Sequence, residues 1–512
     1  LRKISLLLIL LAAAGASAIS INDWLSVNGA NEAVYLRQRE DGRRWTWDIL
    51  QTEVRAWRFA VGAEAEFNHP RKPVIETPLG GEDPEGDEVV ERYARYHDDI
   101  FDVWAGNYDK TLGKGLTLRS YWDRDLEVYQ QLDGGMAEGC VPIAGREWGS
   151  VTALWGRNVR DEERQEHKDT VAGGQINFTP VDFLYVTASG VQADVENTFN
   201  HEMEEQKLYS GGLGGGWQYF DVYAEYATRD GYDALLREDT SGNGFYGSIT
   251  GYPPKSSISV EYKLYDGLNY PYNNPPPVSY NENMLTGPGS LESGEWGYYV
   301  QGSANPVTDV RVRGGYSYAD DDVGDADEKT REIKEYFGTV RYDLPWPVFV
   351  EGGYDSIADL HFIGDMTTGD VRDTPSLTVG WTPWDDHSFS AEFAREERRD
   401  YTAGDRVFIY NRGNVGYTYS SWLGLTVSYE DTDQRAQELV DPGDPPRIPP
   451  VYRSKSNWLW GEVRLTWYSS KFQNHVLTLG YGSQRGGRVC SSGVCKEQAP
   501  FTGLKIALES SF

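Results

Sequence analysis

The sequence runs to 512 residues, with 17 Trp, 34 Tyr, 17 Phe and 56 Gly against only 4 Met, and its formal net charge is −31. A chain this acidic repels polyanions, which argues against nucleic acid as a partner. Past residue 18 no apolar run is long enough for a membrane-spanning helix, which needs about 20 residues.

The chain opens with an export signal. Arg2 and Lys3 form a charged start, Ser5 to Leu11 a short apolar core, and Ala16-Ser17-Ala18 a small-residue cleavage site. Residues 1–18 therefore read as a signal peptide and residues 19–512 as a single domain. Strand-like sequence begins by Trp24–Tyr35, so a transporter with a large N-terminal plug, driven from an inner membrane, is not expected.

From there, segments of roughly ten residues alternate apolar and polar side chains, the period of a β-strand. Turns are expected near Trp57, Asp98 and Gly145, with longer connections at 38–46, 68–88, 108–130 and 158–168. Further along, short turns fall at Pro180, Gln218, Pro253-Pro254, Asn305-Pro306, Leu344–Trp346, Trp384–Asp386, Ser420–Trp422 and Ser469–Asn474. Longer polar stretches lie between them, among them Asp194–Glu205, Asp266–Glu292, Ile357–Asp370, Thr432–Arg453 and Arg485–Pro500. Within the segments, Ile258, Val260, Tyr262 and Leu264 alternate with Ser259, Glu261 and Lys263. Leu423, Leu425, Val427 and Tyr429 alternate with Gly424, Thr426, Ser428 and Glu430. The last segment sets Leu504, Ile506, Leu508, Ser510 and Phe512 against Lys505, Ala507, Glu509 and Ser511.

One face suits lipid and the other a wet lumen, and Trp and Tyr suit the interfaces between. The pattern predicts an all-β fold: a transmembrane antiparallel up-and-down β-barrel of about 24 strands (range 20 to 26, roughly), with short periplasmic turns and long extracellular loops. A soluble sandwich also alternates. The number of such strands after an export signal, with charges repeating on one face, favours the barrel and places it in a bacterial outer membrane.

Two connections carry candidate function. Gly106 to Tyr121, continuing through Trp122–Gln131 to Gly134, holds both charge signs, several glycines and apolar residues unsuited to bulk water. A connection this long has a function or no structure. Folded inward it would narrow a pore, with Lys110, Lys114, Arg119, Asp123, Arg124 and Asp125 lining a constriction whose opposed charges select solutes. The plainer alternative is an outward loop packed on its neighbours. The second connection, Asn269-Tyr270-Pro271-Tyr272-Asn273-Asn274-Pro275-Pro276-Pro277, is stiffened by its prolines and reads first as a rigid outer loop, with a lid or a carbohydrate or protein contact as alternatives.

Cys490 and Cys495 enclose Ser-Ser-Gly-Val in the last outer loop, and an oxidising compartment favours a disulfide between them. Cys140 is left as a lone thiol. The histidines show no metal-ligand spacing, and the acidic run Asp320–Glu328 lacks the closing Glu and the full spacing of a calcium loop. There is no nucleophile elbow, phosphate-binding loop or CxxCH, so neither an enzyme nor a bound cofactor is expected.

By its signal peptide, alternating segments and terminal Phe512, the mature chain resembles bacterial outer-membrane porin-type barrels. Leu504, Ile506, Leu508 and Phe512 resemble the C-terminal signal that the barrel-insertion machinery reads in such proteins. More narrowly, Gly106-Asn107-Tyr108 with Gly115 to Tyr121, Asn273-Asn274-Pro275-Pro276, and Cys490 to Cys495 followed by Lys496 and Pro500 resemble a family of large outer-membrane barrels of unknown function. The resemblance implies outer-membrane lipid as surroundings and brings no activity with it. The leading expectation is a porin-like channel for small hydrophilic solutes. The alternative is a scaffold whose lumen or surface holds a secretion, surface-protein or electron-transfer partner.

Overall fold

The computed structural model describes residues 19–22, 24–39, 44–69, 86–123, 128–143, 146–158, 169–196, 202–233, 238–268, 270–277, 294–321, 330–363, 366–402, 405–441, 451–470, 473–485, 487–491, 494–498 and 501–511. Residues 1–18, expected as a signal peptide, and Phe512 lie outside this set.

Inside lipid every backbone N–H and C=O must find a partner within the protein, and a sheet satisfies that only by closing on itself. It closes here. The strand Leu25–Gln38 pairs with its neighbour Arg44–Ala56 on one side and with the last strand, Phe501–Ser511, on the other, with Ala33 opposite Leu508 and Arg37 opposite Leu504. The result is a ring of 24 antiparallel strands, with no helix among the described residues. A short segment, Ile19–Asn22, folds back on the foot of Leu25–Gln38 and completes a 25-stranded sheet.

Side chains follow the alternation. Val427 in Leu423–Asp441 and Ile258 in Ser256–Asp266 point outward and are 51% exposed, while Lys263 and Glu225 point into the lumen and are 2% and 1% exposed. At the short-turn end, exposed tryptophans gather: Trp57, Trp217, Trp346, Trp384 and Trp422. Trp217 stacks on Phe220 across its turn at 4.9 Å, and Trp384 meets His387 edge-on at 5.2 Å. Amphipathic rings in this position form the belt that seats a barrel at the headgroup level.

The short turns fall where the sequence places them, for example between Ala56 and Phe59, His97 and Phe101, Trp217 and Phe220, and Tyr419 and Leu423. Pro180 and Asn305-Pro306 end the strands Thr170–Val181 and Glu295–Val307, so those turns come just after them. The outer connections differ more. Ile357–Asp370 is expected as a loop, yet strands Val348–Ile363 and Met366–Trp384 run through it as a hairpin. Thr432–Arg453 is largely absorbed into Leu423–Asp441 and Val451–Ser470. Above the membrane both faces of a strand meet water, so the apolar–polar period vanishes while the backbone ladder continues. Cross-strand charges support it: Arg331 pairs with Asp359 at 2.9 Å and Arg398 with Asp370 at 2.7 Å.

The register gives a paired expectation. Val427→Arg sets a cation against lipid and should lower folding stability in vesicles by roughly 2–4 kcal/mol near the midplane, whereas Thr426→Arg, facing the lumen, should change it little. Urea titration of both variants in lipid vesicles checks this, and equal effects would reverse the assigned faces.

Candidate functional site: two loops docked inside the lumen

The connection after Phe101–Tyr108 does not leave the barrel. It turns in and makes a small hairpin, Lys110–Leu112 against Leu118–Ser120, with Leu112 opposite Leu118. Leu112, Leu116 and Leu118 are completely buried. Their seat is an apolar patch on the inner wall: Val171, Val191, Leu208, Ala227, Tyr246 and Tyr265, from successive strands, belong to the same core. A lumen wall is ordinarily polar, so apolar residues at these inward positions mark the place where water has been displaced by the loop.

Polar bonds fix the hairpin tip on that wall. The Gly113 N–H donates to Gln175 Oε1 at 2.8 Å and the Lys114 N–H to Glu225 Oε2 at 2.9 Å. Thr117 and Ser189 exchange a hydroxyl bond at 2.9 Å. Glu225 is buried as an acceptor of three bonds, the other two from Ser210 Oγ at 2.8 Å and the Tyr223 hydroxyl at 2.6 Å. Gly113 and Gly115 have φ of +56° and +86°, and a Cβ on Gly115 would come within 2.7 Å of the Asn274 carbonyl oxygen. The glycines are needed for both the turn and the close approach.

That approach is made by the second singled-out stretch. Residues 270–277 also lie in the lumen, clasping the first loop; Asn269 lies outside the described residues. The Tyr270 hydroxyl donates to Thr117 O at 2.8 Å, Asn273 Nδ2 to Leu116 O at 3.1 Å, and the Asn274 N–H to Gly115 O at 3.2 Å. In return the Arg119 N–H donates to Tyr272 O at 2.8 Å. Burial holds the Tyr270 phenol well above its ordinary pKa, so it remains a donor. The Tyr272 hydroxyl donates to Asp169 Oδ2 at 2.7 Å, and Lys263 Nζ to Pro276 O, tying the pair back to the wall.

Of the residues expected at a constriction, Lys110, Lys114, Arg119 and Asp123 sit on this inward unit. Lys110 Nζ donates to Glu138 Oε2 at 2.5 Å, the Lys114 ammonium lies 5.2 Å from the centre of the Tyr223 ring, and the Arg119 guanidinium lies 4.8 Å from that of Tyr121. Asp123 opposes Val128 in a short ladder. Arg124 and Asp125 lie outside the described residues, as does most of the acidic run after Asp321. Sequence reasoning did not pair the two loops with each other, nor find the receptors Gln175, Ser189, Glu225 and Asp169. The one available signal was the apolar inward positions of the strands between Thr170 and Asp266. In the last outer connection, Gly487–Ser491 pairs with Val494–Gln498, which sets Cys490 directly opposite Cys495; Cys140 is not part of a disulfide. No group of His, Cys, Asp and Glu among the described residues could hold a metal ion.

The model of a family of unknown function, DUF6029, matches residues 20–285. No curated protein matches. Among solved structures, a chain of the E. coli P pilus tip assembly intermediate PapC-PapD-PapK-PapG aligns with a TM-score of 0.56 at 8% identity, over 96% of this chain and 62% of that one. The siderophore receptor PirA from Pseudomonas aeruginosa aligns at 0.47 and 8% identity, over 96% and 81%. The copper transporter OprC aligns at 0.44 and 9% identity, over 95% and 81%. At such identity the likeness is one of fold, an outer-membrane barrel.

Asn273 is the keystone of the docked pair, since it also donates to Leu268 O at 3.0 Å and accepts from the Tyr270 N–H at 3.1 Å. Asn273→Ala orphans buried backbone groups, at roughly 1–3 kcal/mol each. The expected result is faster protease cleavage within 109–131 while the ring keeps its resistance to detergent denaturation.

Proposed function

This chain belongs to the DUF6029 family, and we propose that it is a porin-like channel for small hydrophilic solutes, narrowed by the docked pair of loops and without catalytic activity. For strands about 4.8 Å apart and tilted by about 40°, a circular ring of this size has its wall roughly 24 Å from the axis. A bore that wide would pass solutes with little discrimination. What supports the channel reading is the way the space is reduced: a loop pair that is part of the chain, bonded to one wall, carrying Lys110, Lys114, Arg119 and Asp123. Fixed charges of both signs beside a water path select by charge and size.

Planar-bilayer recording on protein purified from outer membranes tests this. A steady conductance is expected, rising at least twofold when residues 110–129 are replaced by a short Gly-Ser linker, with ion selectivity shifted by Arg119→Ala and Asp123→Ala in opposite directions. Negligible conductance together with a stoichiometric companion protein would overturn the channel and make the barrel a scaffold.

The opposed Cys490 and Cys495 are read as a disulfide that closes the last outer connection, as paired strand positions lie within bridging distance. Alkylation of the unreduced protein should then label Cys140 alone, and prior reduction should add two labels by mass.

A further inference from the structure

The other half of the ring carries a second inward feature. Four neighbouring strands, His387–Asp400, Arg406–Tyr419, Leu423–Asp441 and Val451–Ser470, bring Ala394, Arg412, Glu430 and Trp458 into one row across the lumen face. Glu396 and Tyr410 form the adjoining row. Arg485, just beyond Gln473–Gln484, leans over them, its guanidinium 4.2 Å from the centre of the Tyr410 ring and 6.0 Å from that of Trp458. Together they line a recess of about 430 Å³, counting its open mouth.

Tyr410 and Trp458 are 7% and 4% exposed, and the Tyr410 hydroxyl and Trp458 Nε1 are buried without a hydrogen-bond partner. Buried polar atoms are nearly always satisfied, so two orphans lining one recess point to something that completes them. The rings themselves are covered, by Arg485 on one side and the wall on the other, so they offer no open face on which a sugar could stack. Only polar edges and charges remain. Arg412, Arg485, the indole N–H and the phenol supply donors suited to a carboxylate, since a guanidinium forks onto both its oxygens. Glu396 and Glu430 supply acceptors suited to an ammonium group.

We propose that this recess binds a small zwitterion, an amino acid or short peptide, with its carboxylate toward Arg412, Arg485 and Trp458 and its ammonium toward Glu396 and Glu430. This deepens the channel reading by naming the solute class, and rests on it only in that the bound solute is one that passes through.

Calorimetric titration of the full-length folded barrel in detergent tests the site. The probes are glycylglycine, its N-acetyl derivative, its C-terminal amide, and glucose. Saturable binding of glycylglycine is expected, at least tenfold tighter than any of the other three. Arg412→Gln should remove the preference over the amide and Glu430→Gln the preference over the acetyl derivative. Trp458→Phe keeps an aromatic side chain, deletes the indole N–H donor and should weaken glycylglycine several-fold. Absence of saturable binding, equal binding of all four probes, or unchanged binding by variants that retain the barrel would each overturn the proposal. Bilayer recording on the same preparation separates the two readings: binding without conductance removes the channel and leaves the site, and conductance without binding removes the site alone.

Discussion

Within the hydrocarbon layer no N–H or C=O of this chain can turn to water, and that prohibition organises everything else. A strand with an open edge would leave a row of unpaired groups in lipid, so Leu25–Gln38 must find Phe501–Ser511 although nearly the whole sequence separates them. The contact is non-local in the extreme, yet its register is not arbitrary. A slip of one residue would turn Leu504 and Ile506 into the lumen and Lys505 and Glu509 into lipid, which the side chains forbid.

Closing so many strands creates a second problem, a lumen too wide to be filled by wall side chains. The chain answers it locally. One arc of the inner wall, along the six strands from Thr170 to Asp266, interrupts the polar lining and presents Val171, Val191, Leu208 and Ala227 to a leucine-bearing hairpin. Burying that hairpin puts backbone amides in a dry place, and Gln175, Glu225, Asn273 and Tyr270 are the groups that satisfy them. The wall across from it keeps its charges, with Arg331, Asp359, Asp370 and Arg398 paired near the outer rim and Arg412, Glu430 and Arg485 around the recess below Tyr410. The two regions thus differ in kind, one apolar and covered by the loop pair, the other charged.

Much of the fold was legible because lipid imposes a strict two-residue period and the short turns leave little slack. Trp57, Gln218, Ser420–Trp422 and Ser469–Asn474 mark turns in sequence and in space alike. Legibility failed above the membrane, where Ile357–Asp370 and Thr432–Arg453 lose the period because both faces are wet, although the ladder continues by backbone bonding. At the site, Lys110, Lys114, Arg119 and Asp123 could be singled out from charge, glycine content and loop length. Their seat could not, since Gln175 and Glu225 look like any other lumen-facing polar residues until the loop is brought against them.

By itself, then, the sequence determined the class of solvent the chain faces, the side of each strand that meets it, and the places where the chain reverses. Each of these follows from side chains within a few residues of one another. Only the tertiary structure decided that Gly115 and Asn274, over 150 positions apart, would touch inside the lumen, and that Tyr410, Trp458 and Arg485 would share one recess. Those juxtapositions depend on which lumen positions stand at equal height once the ring has closed. That height is set by the summed register of all the intervening strands, a quantity no local pattern carries.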